Sequence, residues 1–115
     1  MSQLSDKVEE FIKRLLPNYT CIKEYETKAG LNNNTSIRFD FCIPGLKVMI
    51  EVQGSQHFKF SKHFHKTLDH FRKALARDGL KQEWCSQNEY SLVYFNYDEI
   101  DSLTDEEFMS RILSS

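Results

Sequence analysis

Asp40 and Glu51 are the residues of this sequence whose types and spacing suit chemistry best. Asp40 falls in IRFDFCI, residues 37–43, and Glu51 in LKVMIEVQ, residues 46–53. Both stretches alternate apolar and polar side chains with the period of a strand. A two-residue turn at Pro44-Gly45 would pair Ile43 with Leu46 and Arg38 with Glu51, leaving Asp40 diagonal to Glu51. Diagonal neighbours lie about 7 Å apart at Cα, close enough for two carboxylates to meet on one hard cation. Mg²⁺ takes oxygen ligands at about 2.1 Å and suits such a pair. The competing reading is a surface charge ladder in which Arg38 neutralises Glu51.

Three further signals follow along the chain. Gly54-Ser55-Gln56-His57 leaves the second strand directly, and glycine permits a sharp exit there. An imidazole at His57, close to the carboxylates, is suited to proton transfer near neutral pH. Asp78 continues the Phe71, Leu75 progression, so it falls within the apolar arc of its helix and needs a partner. Lys81 lies one turn later on the same side. The first helix offers Glu9 or Glu10, and Glu9 already has a local role as the capping-box partner of Asp6. His63, His65 and His70 lack cysteine or carboxylate partners at zinc-ligand spacing.

The elements that must position these residues read off the hydrophobic pattern. Ser5 to Leu16 is an amphipathic helix with Val8, Phe11, Ile12, Leu15 and Leu16 on one stripe, stopped by Pro17. Tyr19 to Glu26 is a strand, and 28–36 is a polar loop. The two alternating strands follow, expected to carry one apolar face and one chemically loaded face. Residues 54–66 form a loop, and Thr67 to about Asn88 is a long helix with Leu68, Phe71, Ala74, Leu75 and Cys85 on its apolar arc. Ser91 to Tyr97 is a further strand. Thr104-Asp105-Glu106-Glu107 is a second capping box, opening a helix through Phe108, Ile112 and Leu113. The order α-β-β-β-α-β-α predicts one α/β domain over residues 1–115, with a mixed sheet flanked by helices.

Composition narrows the class. The 115 residues are 40% hydrophobic and 28% charged, an ordinary globular balance. No apolar run approaches the roughly 18 residues needed to span a bilayer, and the N-terminus has no signal-peptide pattern. Cys21, Cys42 and Cys85 form no CxxC pair, so buried, reduced thiols in a cytoplasm are expected. The formal charge of -2 averages unlike segments. Residues 59–81 hold seven basic side chains (Lys59, Lys62, Lys66, Arg72, Lys73, Arg77, Lys81) against two acids, Asp69 and Asp78. Such a patch suits a phosphate backbone. The acidic stretch 96–115 does not.

The stretch IRFDFCIPGLKVMIEVQGSQHF, with FRKALARDGLKQEWCSQNEYSLVYFNYDE, resembles the very-short-patch repair (Vsr-like) nucleases of the PD-(D/E)xK superfamily. The nearest resemblance is to the phage homing-type subgroup named for an EDxHD residue set. It covers about residues 9–100. It implies a restriction-endonuclease-like fold and a Mg²⁺- or Mn²⁺-dependent endonuclease acting on DNA. By that resemblance the helix glutamate falls on Glu9, with Glu10 as the alternative. The strand aspartate falls on Asp40, the histidine on His57 and the later aspartate on Asp78. Glu51 matches the second acid of the superfamily, and Lys81 a basic residue that follows the last aspartate.

On this reading Asp40 and Glu51 hold the metal with the Val52 carbonyl as third ligand, and His57 moves the proton. Glu9 and Asp78 orient His57 or reach the metal through water. Lys59, Lys62, Lys66, Arg72, Lys73 and Arg77 hold the nucleic acid. The sequence departs at Gln53, which stands where the superfamily carries lysine. Glutamine orients a water or a phosphate oxygen but moves no proton. The missing lysine and the lack of a recognition module favour a second expectation, an inactive nuclease-fold protein that binds nucleic acid or a host protein. A homodimer or a separate specificity subunit is the remaining partner expectation.

Overall fold

The computed structural model describes residues 3–53 and 68–114. The chain is mixed α/β: a four-stranded sheet flanked by helices, in the order α1 (Gln3–Leu15), β1 (Ile22–Ala29), β2 (Thr35–Ile43), β3 (Val48–Gln53), α2 (Leu68–Gln87), β4 (Ser91–Asn96) and α3 (Asp105–Ser114). The strands lie side by side in the order β1-β2-β3-β4. The first three are antiparallel, and β4 runs parallel to β3 after the long connection through α2. The expected order of elements holds. The first strand begins later than its pattern suggested, at Ile22, and runs on to Ala29. Gly30, at φ +83, then turns the chain where a side chain would be strained.

The β2–β3 turn corrects the expected register. Pro44–Leu46 form a single 3₁₀ turn, and Lys47 closes it in the left-handed conformation, donating its N–H to Pro44 O at 3.1 Å. Ile43 therefore pairs with Val48, Cys42 with Met49 and Phe41 with Ile50. The shift of two residues places Asp40 opposite Glu51 instead of diagonal to it. It also removes the expected Arg38–Glu51 pair: Arg38 pairs with Glu26 in the β1 ladder and forms its ion pair with Glu24.

Asp40 stands in a gap of the sheet. The β2–β3 ladder ends at Phe41–Ile50. The β1–β2 ladder skips one step, between Lys23–Phe41 and Tyr25–Phe39, where Glu24 would meet Asp40. Glu24 has a φ of 51°, rare for a residue with a side chain inside a strand. The alternation of β2 changes phase at the same point. Ile37 and Phe39 pack in one core cluster with Cys42, whereas Phe41 and Ile43 pack in the other. The expectation of one apolar and one polar face therefore fails. The sheet is covered on both sides, so the hairpin is apolar on both.

One core layer joins α1 and α3 to the sheet through Val8, Ile12, Phe41, Ile43, Ile50, Phe95, Phe108 and Ile112. Phe108 stacks on Phe11 at 4.9 Å and on Phe95 at 5.0 Å between ring centroids. The second layer packs Leu80, Trp84 and Cys85 of α2 over Phe39, Cys42 and Met49. Trp84 and Leu80 were absent from the expected arc. Leu75, included in it, is 49% exposed. Leu68, Phe71 and Ala74 have side chains outside the described residues. The capping box at Thr104 forms as expected: Thr104 N–H donates to Glu107 at 2.9 Å, and Glu107 N–H to Thr104 Oγ1 at 3.1 Å. The first one does not form, because α1 begins at Gln3 and encloses Asp6 in its first turn. The three cysteines are free thiols, with Cys42 and Cys85 buried. Among the described residues, no helix is long and apolar enough to cross a membrane.

Candidate active site

The gap at Asp40 is closed by side chains. Asp40 N–H donates to Glu51 Oε1 at 3.1 Å, and Val52 N–H donates to Asp40 Oδ2 at 2.8 Å. Each bond replaces one that a continuous ladder would have made between backbones. The two carboxylates are thereby fixed on neighbouring strands at the end of the hairpin. Val52 meets Asp40 through its N–H.

Glu51 is 5% exposed. It shares the face of Met49 and Gln53, toward α2. Lys81, one of the half-buried residues of α2, reaches it with Nζ 3.0 Å from Oε2. Burial raises the pKa of Glu51, and the negative charge of Asp40 adds to this; Lys81 and the Asp40 N–H oppose them, and the result is about 7. Tyr94 pairs with Glu51 in the parallel ladder. Burial raises the phenol's pKa, with Asp78 and Glu51 both contributing by charge. Asp78, half-buried on α2, thus belongs to the same electrostatic neighbourhood. Tyr94 was not singled out from the sequence; its signal was a phenol on the strand that must neighbour β3.

Gln53 is 8% exposed and pairs with Asn96. It lies two residues beyond Glu51 on the same face. The cation nearest Glu51 arrives instead from α2, thirty positions along the chain.

A cleft of about 410 Å³ opens on Asp40. It is lined by Ser5 of α1, Lys23 and Glu24 of β1, Arg38, Asp40 and Phe41 of β2, and Val52 of β3. Glu9 is not in its lining. It accepts from Lys23 Nζ at 3.2 Å and pairs with Lys13 at 3.5 Å. Burial raises its pKa, but the hydrogen bonds and charges of Lys23 and Lys13 outweigh that and lower it. Glu10 is exposed.

His57, Lys59, Lys62 and Lys66 lie outside the described residues. Arg72, Lys73 and Arg77 are exposed along α2. Among the described residues, no group of three or more His, Cys, Asp or Glu side chains gathers to hold a metal ion. The Asp40–Glu51 pair fits a hard cation in its donor chemistry. Both side chains are oxygen donors, and the raised pKa of Glu51 marks a carboxylate that gains from positive charge beside it. Lys81 supplies that charge here.

No protein-family model and no solved structure matches the chain. Over 69 residues it is 39% identical to "Uncharacterized protein 307L" of Invertebrate iridescent virus 6. The match takes in 60% of this chain and 35% of that viral protein, so the chain spans about a third of the length of the curated relative it matches.

Proposed function

We propose that the chain is a metal-dependent DNA endonuclease that hydrolyses phosphodiester bonds, built on a restriction-endonuclease-like, Vsr-like framework. The observation that carries this reading is the Asp40–Glu51–Lys81 cluster at the interrupted end of the hairpin. Glu51 accepts from both the Asp40 N–H and Lys81 where the β2–β3 ladder stops, and Asp40 opens on a cleft.

Asp40 and Glu51 would hold a divalent ion. When bound, Mg²⁺ or Mn²⁺ supplies Lewis acidity toward the phosphate and neutralises its developing charge. The protein's own groups do the rest. Asp40 is fixed by Val52 N–H, so its carboxylate keeps one orientation toward the cleft. Lys81 opposes the burial that raises the pKa of Glu51 and brings the cation that position 53, where the superfamily pattern expects lysine, lacks. Gln53, which occupies that position, orients a water or a phosphate oxygen. The exposed Arg72, Lys73 and Arg77 add positive charge on α2 for the phosphate backbone. Reduced thiols and a nucleic-acid substrate suit the cytoplasm of a host cell.

The test is nicking of supercoiled plasmid in Mg²⁺. Cleavage that depends on both the metal and Asp40 supports the reading. A second reading, an inactive nuclease-fold protein that binds nucleic acid or a host protein, is favoured by the Lys81–Glu51 ion pair, which already neutralises the buried acid. That reading expects DNA binding or protein capture with no nicking.

A further inference from the structure

The cleft beside Asp40 holds two cations that neither the resemblance nor the basic patch assigned. Lys23 projects from β1 and Arg38 from β2, and both line it together with Asp40. Its volume, about 410 Å³, lies within the range of ligand-binding clefts. A polyanion approaching Asp40 is repelled by that carboxylate and by Glu24 on the same wall, so it needs compensating charge within the cleft.

Lys23 and Arg38 are held ready to give it. Lys23 is anchored by Glu9 at 3.2 Å and Arg38 by Glu24 at 3.1 Å. The Arg38–Glu24 pair is solvent-exposed on both sides. Exposed ion pairs are weak, so a phosphate can replace the carboxylate at little cost. Arginine's planar fork fits two phosphate oxygens at once. The left-handed conformation of Glu24, opposite the gap at Asp40, is the kind of backbone strain that collects at binding sites.

We infer that Lys23 and Arg38 form a binding site for a backbone phosphate of the substrate strand, beside the phosphodiester at Asp40. This rests on the proposed nuclease reading. It places the nucleic acid across β1 and β2, in addition to the basic face of α2.

The test uses the full chain carrying Asp40→Asn, without divalent metal, binding a short DNA duplex over a series of salt concentrations. Each phosphate contact contributes roughly 0.9 to the slope of log affinity against log salt. Lys23→Gln and Arg38→Gln added together should flatten the slope by about 1, the contribution of the one phosphate they share, and either alone by less. Lys28→Gln, on β1 but outside the cleft lining, should leave it unchanged. Both cleft side chains are solvent-facing, and thermal melts of each variant check that folding is retained. An unchanged slope in the folded double variant, with DNA still bound, overturns this site alone. Failure of the Asp40→Asn chain to bind DNA even at low salt overturns the site and the nuclease reading together.

Discussion

Asp40 and Glu51 complete each other's places in the sheet. The backbone N–H of Asp40 donates to the Glu51 carboxylate at 3.1 Å, while the Asp40 carboxylate accepts from Val52 N–H, the residue after Glu51, at 2.8 Å. The strands separate there without leaving those backbone donors unpaired. The same substitution buries Glu51 next to a second negative charge and makes it dependent on Lys81.

Stability should fall as pH rises through the range in which Glu51 ionises. Its folded pKa is about 7 against an ordinary value of 4.5. The folded state therefore holds the proton more tightly than the unfolded one. This group's favourable contribution is complete below pH 4.5 and is lost as pH rises to about 7, by about 3 kcal/mol in all. Urea denaturation at pH 5 and pH 8 measures it, and Glu51→Gln should flatten the difference. Glu9 and Glu99 have lowered pKa values and act in the opposite sense: their contribution is lost as pH falls below the ordinary carboxylate range. A wild-type difference that Glu51→Gln leaves untouched would contradict the assignment.

Lys81→Met should expose the dependence of Glu51 on its counter-charge. It removes one partner of a mostly buried ion pair, which costs about 3 kcal/mol at pH 8, where Glu51 is ionised. At pH 5 the protonated acid needs no cation, and the cost should be much smaller. Nicking should drop by about 10²-fold, the loss typical of a removed electrostatic contact. Gln53→Lys in the same chain should restore part of it, because position 53 shares the face of Glu51. Wild-type nicking by Lys81→Met would remove Lys81 from the mechanism.

Glu24→Gly should stabilise the fold. Glu24 sits at φ 51°, where a side chain costs about 1 kcal/mol and glycine does not. The exposed pair with Arg38 that is lost contributes less. A thermal melt measures the balance. A lower melting temperature would show that the Arg38 contact outweighs the backbone strain.

The element order was legible because α1, α2 and α3 carry helical periodicity and the strands alternate. The carboxylate pair was legible from the alternation around Asp40 and Glu51, but its register was not. Pro44-Gly45 reads as a two-residue turn, whereas Lys47 adopts the left-handed conformation and extends the turn to four residues. The phase change of β2 at Asp40 was hidden for another reason. It depends on a side chain of β3 replacing a backbone acceptor, and periodicity within one strand carries no trace of that. Lys81 was legible as a basic residue on α2, but its reach to Glu51 follows from the crossover that lays α2 over β3. Arg38 read as the partner of Glu51 and Lys23 stood out in no pattern, because the cleft exists only once β1, β2 and α1 are assembled.

Nicking of supercoiled plasmid decides whether Asp40 and Glu51 form a phosphodiester-cleaving site. The wild-type chain should convert supercoiled to open-circular or linear DNA in Mg²⁺ and stop when EDTA is added. Asp40→Asn, folded as judged by its thermal melt, should lose at least about 10²-fold of that rate. Cleavage by Asp40→Asn at the wild-type rate, or none by the wild type in Mg²⁺ or Mn²⁺, would contradict that assignment.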